Sequence, residues 1–294
     1  MIMPPPDVSI IIPCYNGAAT LPAQLQALQQ QVGAQPFEVI VADNGSTDHT
    51  AAVVRRFQTS VPVRRVDASA KRGAAYARNA AARSTQAPYL LFCDADDVAG
   101  KDWVASMHAA LRSGASFVAG ALDFERLNPS WVIGDRAQTQ RNSLQGKQPF
   151  VFAASSNMGI TRAAFDAVHG FQEALQALED VDFCWRLQQH GIPLTFVPGA
   201  TMHMRCRTTL WSTFQQAHRY AKHYKQLRVQ YGIEDAARQP AYRDKFRKSV
   251  RWYARKLLKE VRSRAALHRW MWRVGWSMGT VRGLRAIQRR GATG

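Results

Sequence analysis

The sequence predicts an α/β protein in which a sheet is flanked by helices and followed by a basic helical extension. Three observations predict it. Short apolar runs recur through the first 120 residues, each followed by a turn and then by helical spacing. Several runs stop on a carboxylate or an aromatic residue, as expected at the ligand-bearing edge of an open α/β sheet. Positive charge is concentrated at one end: residues 241–294 carry 16 of the 39 Lys and Arg but 2 of the 21 Asp and Glu, which is +14 of the formal +18.

The elements follow in order. Val8 to Pro13 reads as a buried strand, and Cys14-Tyr15-Asn16-Gly17 turns the chain, with Gly17 free to take positive φ. Thr20 is placed to cap a helix with Leu21, Leu25 and Leu28 on its apolar face, ended by Gly33. Phe37 to Ala42 is a second strand, after which Asp48 caps a helix over Ala51 to Phe57. Val61 to Val66 is a third strand, and Ala74 to Arg83 an Ala-rich helix. Tyr89 to Asp97 (Tyr-Leu-Leu-Phe-Cys-Asp-Ala-Asp-Asp) is a fourth strand that ends in three carboxylates within four positions. A helix is expected over Asp102 to Arg112, which Asp97 caps if the strand end is no more than a polar turn. Alternation of strand and helix at this spacing requires βαβ units.

Carboxylates crowded at a strand end repel one another, and a divalent cation relieves the repulsion. All-oxygen ligands suit Mg or Mn. The plainer reading is a strand followed by a polar turn. At the same sheet edge Tyr15 could stack on a nucleobase, and Asp43 could accept a base or ribose hydrogen bond. Lys71-Arg72-Gly73 and Arg78 bring positive charge suited to a diphosphate. No GxGxxG or GxxxxGK[ST] occurs, which excludes the dinucleotide fingerprint and the P-loop.

Four cysteines lie apart with no CxxC pair, three of them beside apolar residues, as expected of reduced, buried thiols. Met-Ile-Met-Pro-Pro-Pro lacks the pattern of a signal peptide, and no uncharged apolar run of 18 residues is present. The expected location is cytoplasmic, peripheral on the inner face of the cell membrane.

Ser9 to Asn16, Asp43 to Asp48, Arg78-Asn79 and Asp94-Ala95-Asp96 together resemble the family 2 glycosyltransferases. The likeness runs from residue 8 to about 210. It implies a GT-A-like, Rossmann-type mixed sheet and an inverting transferase that uses a nucleoside-diphosphate-sugar. On that resemblance Pro13, Tyr15, Asn16, Asp43, Arg72, Gly73, Arg78 and Asp94 hold the nucleotide-sugar. Asp94, Asp96 and His203 hold Mn or Mg. Asn157, in the small-residue segment Ala154 to Gly159, and Trp185 face the acceptor. Asp180 is the general base, with Glu179 beside it to orient it or bind acceptor. The plain alternative for Asp180 is a helix cap. Asn44 stands where many relatives carry a second Asp.

The resemblance divides the chain into a nucleotide-sugar-binding half over 1–120, an acceptor-binding half over 121–207, and a helical extension over 208–294 expected to meet a membrane. Residues 121–150 read as a long irregular loop or lid. Trp185-Arg186 does not complete a QxxRW motif, so single-sugar transfer is expected rather than processive synthesis. The donor is expected to be of the UDP or dTDP type, and the acceptor a hydroxyl of a glycan or of a lipid-linked (polyprenyl diphosphate) molecule.

Within the extension a helix is expected over 208–232. Beyond Pro240 the apolar residues Phe246, Val250, Tyr253, Leu257 and Val261 recur at helical spacing. After a break near Ser263 the stripe continues as Trp270, Val274, Met278 and Val281. Basic amphipathic helices with tryptophans lie at membrane interfaces, so 241–294 is expected on an anionic membrane surface. The same pattern also fits a helix packed on the body with solvated charges, or a nucleic-acid contact, of which the last is not expected. Two other readings stay open: a nucleotidyl or sugar-phosphate transferase, and a basic binding protein carrying a non-catalytic sugar-nucleotide domain.

Overall fold

The computed structural model describes residues 6–147, 150–235, 252 and 261–291. The chain divides into two compact units, one of residues 1–127 and 135–205, the other of 128–134 and 206–294.

The first unit is built on an eight-stranded mixed sheet, in accord with the expected fold class. Its strands are β1 (Val8–Cys14), β2 (Phe37–Asp43), β3 (Val63–Asp67), β4 (Tyr89–Phe92), β5 (Val98–Ala99), β6 (Phe117–Asp123), β9 (Met158–Thr161) and β10 (Thr195–His203). They lie in the order β3-β2-β1-β4-β9-β6-β10-β5. The hairpin β7 (Gln145–Lys147) and β8 (Phe150–Phe152) stands apart from it. β1 is central because nothing in Val8–Ile12 needs water: Ile10, Ile11 and Ile12 are fully buried. Each such side chain contributes about 1.5–3 kcal/mol relative to exposure.

β1 to β4 run parallel, so Cys14, Asp43, Asp67 and Phe92 end at one edge. β9 enters antiparallel between β4 and β6, and Met158 pairs with both Phe92 and Ala119. β10 runs parallel to β6 and brings His203 opposite Asp123. One sheet edge thereby collects Tyr15, Asp43, Asp94, Asp123, Ser155 and His203.

The helices α1 (Leu21–Gln29), α2 (Thr50–Phe57), α3 (Ala74–Arg83) and α4 (Trp103–Arg112) occupy the expected stretches. Several local expectations need correction. Asn16, not Gly17, takes positive φ (53°). A Cβ on Gly17 would lie 2.4 Å from Cys14 Sγ, so the glycine is required by close packing. Asp48 stands one residue before the N-cap His49, although its carboxylate still accepts from the Thr50 amide. Asp97 caps no helix: it precedes β5 and accepts the Arg205 amide at 2.9 Å. Residues 121–150 are less irregular than expected. β6 runs through Asp123, then come α5 (Ser130–Ile133), which belongs to the second unit, and a 3-10 turn, and β7 is the first strand of the hairpin.

α6 (Arg162–Ala167) and α7 (Glu179–Gln189) complete this unit. α7 is entered through Leu178 at φ 62°, a left-handed conformation uncommon for a branched side chain. Arg186 fixes the helix from its other end by donating to the Val168 and Gly170 carbonyls.

The second unit pairs α8 (Leu210–Gln230) with α9 (Arg264–Gly291). Gly275, Gly279 and Gly283 face the backbone of Phe214, His218 and Lys222 in turn, so the two helices run parallel. A Cβ at Gly279 would lie 2.2 Å from His218 O, closer than two non-bonded atoms can stand. Ser263 Oγ accepts the Ala266 amide at the start of α9, at the expected break. Val281 is buried, while Trp270, Val274 and Met278 are half-buried. Phe246, Val250, Tyr253 and Leu257 lie outside the described residues. Among those described, no helix is long and apolar enough to cross a membrane.

Candidate active site

The site is assembled from strand ends and from two helices that reach over them. α3 lies close on the sheet because Ala77, Ala81 and Ala82 are small and fully buried. That approach buries Arg78 and Asn79 as well. Asn79 donates to the Phe171 carbonyl and accepts the Phe171 amide, which fastens the Gly170-Phe171 turn to α3. Arg78 spans the site: Nη2 is 2.7 Å from Asp94 Oδ1 and Nη1 is 2.8 Å from Glu179 Oε1. Burial opposes its charge, but the two carboxylates outweigh that and raise its pKa.

Asp94, Asp96 and Asp97 place carboxylate oxygens within 4.8 Å of one another. Burial, and then the charges of Asp96 and Asp94, push the Asp97 carboxyl well above the usual range. Such crowding of hard oxygen donors fits a divalent cation of the Mg or Mn kind.

His203, expected as the third ligand, lies outside this triplet. Its Nδ1 is 2.5 Å from Asp123 Oδ2, and its Nε2 is 3.1 Å from Arg126 Nη1. A carboxylate on one ring nitrogen leaves the other to face a ligand, as in metal-bound histidines. Here the Arg126 guanidinium stands at that second nitrogen. Asp123 was missed from sequence, although it ends an apolar run just as Asp43 and Asp94 do.

Asp180 is at the second position of α7. Its oxygens accept the amides of Val181 (2.9 Å) and Ser155 (3.4 Å). Burial, and then the charge of Glu179, push its carboxyl up to about 7, against the opposing pull of these amides and of Arg78. A carboxylate so tuned is matched to taking a proton near neutrality.

On the nucleotide side Tyr15 is 51% exposed, and the Arg72 guanidinium lies 4.5 Å above its ring. Pro13 is half-buried in β1. Asp43 is nearly covered: Oδ1 accepts the Ser46 amide and Oδ2 meets Arg65 Nη1, each at 2.8 Å. Burial pushes its pKa up, but Ser46 and Arg65 outweigh this and hold it below the usual range. Asn16 accepts the Thr47 amide and so positions the next turn. Asn44 donates to the carbonyls of Ala68 and Lys71 and accepts the Gly73 amide. An Asp there could not donate, so the Asn is what holds the Arg72-Gly73 loop.

Two acceptor assignments are corrected. Asn157 is fully buried, with its amide committed to Trp103 Nε1, Ala121 O and Ala200 O. Trp185 is 1% exposed, packs on Phe150 and Phe152, and donates to Phe150 O. Neither can touch an acceptor; both hold the strands behind the site together.

Comparison with known proteins is in accord with this geometry. The family description "Glycosyl transferase family 2" matches residues 9–168, and "Glycosyl transferase family group 2" matches residues 89–289. The chain is 32% identical over 224 residues to validoxylamine A glucosyltransferase of Streptomyces hygroscopicus subsp. jinggangensis, covering 65% of this chain and 53% of that one. It is 30% identical over 139 residues to the UDP-Glc:alpha-D-GlcNAc-diphosphoundecaprenol beta-1,3-glucosyltransferase WfgD of Escherichia coli, covering 46% and 52%. The chain therefore spans about half the length of these relatives. Among solved structures, the mannosyltransferase PcManGT of Pyrobaculum calidifontis, in complex with GDP-Man and Mn2+, superposes with a TM-score of 0.58. The match covers 99% of this chain and 76% of that one at 17% identity, a likeness of fold. Strand order, the carboxylate edge and two family descriptions that each span more than half of the sequence agree: the chain belongs to glycosyl transferase family 2.

Proposed function

We propose that the chain is a metal-dependent, inverting glycosyltransferase. It moves one sugar from a UDP- or dTDP-type donor to a hydroxyl of a glycan or lipid-linked acceptor in the synthesis of a cell-envelope or surface polysaccharide. The observation that carries this reading is the placement of Asp180. Its carboxyl titrates at about 7, and Arg78, whose charge it feels, also ion-pairs Asp94 of the acidic triplet.

In this reading Tyr15 stacks on the base and Asp43, nearly covered and held by Ser46 and Arg65, takes a base hydrogen bond at the strand end. Arg72, now over Tyr15, yields its place to the base and meets the diphosphate. Asp94, Asp96 and Asp97 would hold the divalent cation, and His203 would add a nitrogen ligand only with Arg126 displaced from its Nε2. When bound, that cation neutralises charge on the leaving diphosphate. Asp180 takes the proton of the acceptor hydroxyl, whose oxygen attacks the anomeric carbon from the face opposite the diphosphate. The bond from that carbon to the diphosphate oxygen breaks, and its electron pair leaves with the nucleotide. One displacement inverts the centre and needs no nucleophilic carboxylate. Glu179, held on Arg78, keeps a negative charge beside Asp180 and so sustains its basicity.

The relative that acts on a diphosphoundecaprenol-linked sugar supports a lipid-linked acceptor. The cationic helical unit supports residence on the inner, anionic face of a membrane. The test is thermal shift with a panel of nucleoside diphosphates and their sugars, with and without Mn, alongside turnover of Asp180→Asn. Stabilisation that needs both the cation and one base fixes the donor class. An Asp180→Asn enzyme that turns over at the native rate removes the proposed base.

A further inference from the structure

The second unit contains a cavity of about 740 Å³ that the sugar-transfer chemistry does not use. Among its lining residues are Arg207, Arg219 and Arg282, together with Trp211, Phe214 and Met278, and none of the lining residues is acidic. Among the described residues no ion pair is recorded for the three arginines. All three are exposed, so solvent screens their mutual repulsion, and an anion in the hollow relieves what remains. Guanidinium groups match the oxygens of a phosphate in pairs. The apolar side of the hollow is equally marked. Trp211 is 63% exposed yet stacks on Phe214 with ring centroids 5.4 Å apart. An exposed indole over an apolar floor is suited to a membrane interface.

The helices that form the walls are closely packed. Gly275 and Gly279 bring α9 onto the backbone of Phe214 and His218, two of the lining residues. The Arg207 carbonyl is held by His268 Nε2, which also meets the Thr213 hydroxyl at 2.7 Å.

We propose that this cavity binds the phosphate headgroup of an anionic lipid, with Arg207, Arg219 and Arg282 holding the phosphate and Trp211, Phe214 and Met278 covering the adjoining apolar part. The inference rests on the reading that the cationic unit meets a membrane, and it replaces diffuse attraction with a defined, saturable site. A lipid accounts for the apolar wall; a nucleic-acid backbone would leave Met278 without a role.

The full chain is tested by flotation with phosphatidylcholine vesicles, with and without phosphatidylglycerol. Arg282→Lys and Arg219→Lys, which keep the charge, are compared with the native chain and with Arg273→Lys, outside the cavity. Diffuse attraction responds to charge, so all three Lys variants float as the native chain does. A site that grips phosphate with paired guanidinium donors makes Arg282→Lys and Arg219→Lys lose about tenfold while Arg273→Lys does not, with the unfolding midpoint and donor binding of every variant unchanged. Native flotation of all three variants overturns the cavity and leaves the membrane reading standing. No flotation of the native chain overturns both. Stabilisation by inorganic phosphate without flotation overturns the lipid, as does capture of a single-stranded oligonucleotide that Arg282→Glu abolishes while vesicles stay unbound.

Discussion

Arg78 and Glu179 meet at 2.8 Å across 101 residues of chain, and the same guanidinium holds Asp94 at 2.7 Å. The contact joins α3 to α7 and makes one charged group answerable to both sides of the site. Arg78 is 2% exposed, and its removal strands the largely covered Glu179 more than Asp94, which water still reaches. Arg78→Met is expected to cost about 3–5 kcal/mol of stability, the usual effect of breaking a buried pair from one side. Because Arg78 also lowers the pKa of Asp180, any residual activity should show its acidic limb at higher pH. Thermal unfolding and a pH–rate profile check both; an unmoved acidic limb contradicts the coupling.

Asp180 offers a prediction whose sign can be fixed in advance. Its folded pKa, about 7, is above the ordinary carboxylate value of 3.8. Between those limits the folded state holds more protons than the unfolded one, so the group's contribution to stability falls as pH rises. Asparagine does not ionise. The midpoint of Asp180→Asn should therefore equal the native one below pH about 4, pull ahead of it up to about 7, and stay ahead above that. Transfer should drop by about 10²–10⁴-fold with donor binding intact, and native turnover should rise with pH through about 7. Unfolding scans across pH and single-turnover rates test the two halves separately.

What sequence made legible follows from how local each signal is. β1, β2 and β4 are apolar runs between turn residues, and α3 is an alanine helix; each is specified within about ten positions. The carboxylates that end the strands are legible for the same reason. Asn157 and Trp185 were misread because their roles depend on distant partners. Asn157 is buried by Trp103 and by the carbonyls of Ala121 and Ala200, the last at the irregularity between Val197 and Met202. Nothing near Asn157 in sequence announces them. Asp97 suits a cap because Asp is among the residues preferred at a helix N-cap, and only the return of β10 places the Arg205 amide on it.

Asn44 turns an apparent departure from the family pattern into a requirement. Two carbonyls face its NH2 group and the Gly73 amide faces its oxygen. Asn44→Asp would set a carboxylate against the Ala68 and Lys71 carbonyls and cost about 1–3 kcal/mol locally. The loop bearing Arg72 should loosen. The expected outcome is a KM for donor raised about tenfold with kcat little changed, and faster tryptic cleavage after Lys71 and Arg72. Unchanged cleavage would place the Asn44 contacts outside the control of this loop.

Gly279 gives a prediction in which two effects of opposite sign compete. In an exposed helix, Gly→Ala stabilises by about 1 kcal/mol because alanine loses less backbone freedom. At position 279 a Cβ would fall 2.2 Å from His218 O, and backbone cannot swing aside as a long side chain can. Overpacking of this kind costs about 1–3 kcal/mol, so Gly279→Ala should destabilise the α8–α9 pair despite its better helix propensity. Hydrogen exchange reads the result by segment. Amides of α8 around Phe214 to Lys222 should exchange faster in the variant, while those of β1, buried in the other unit, keep their protection. Slower exchange in α8 would mean that propensity outweighs contact and that the parallel pair does not depend on its glycines.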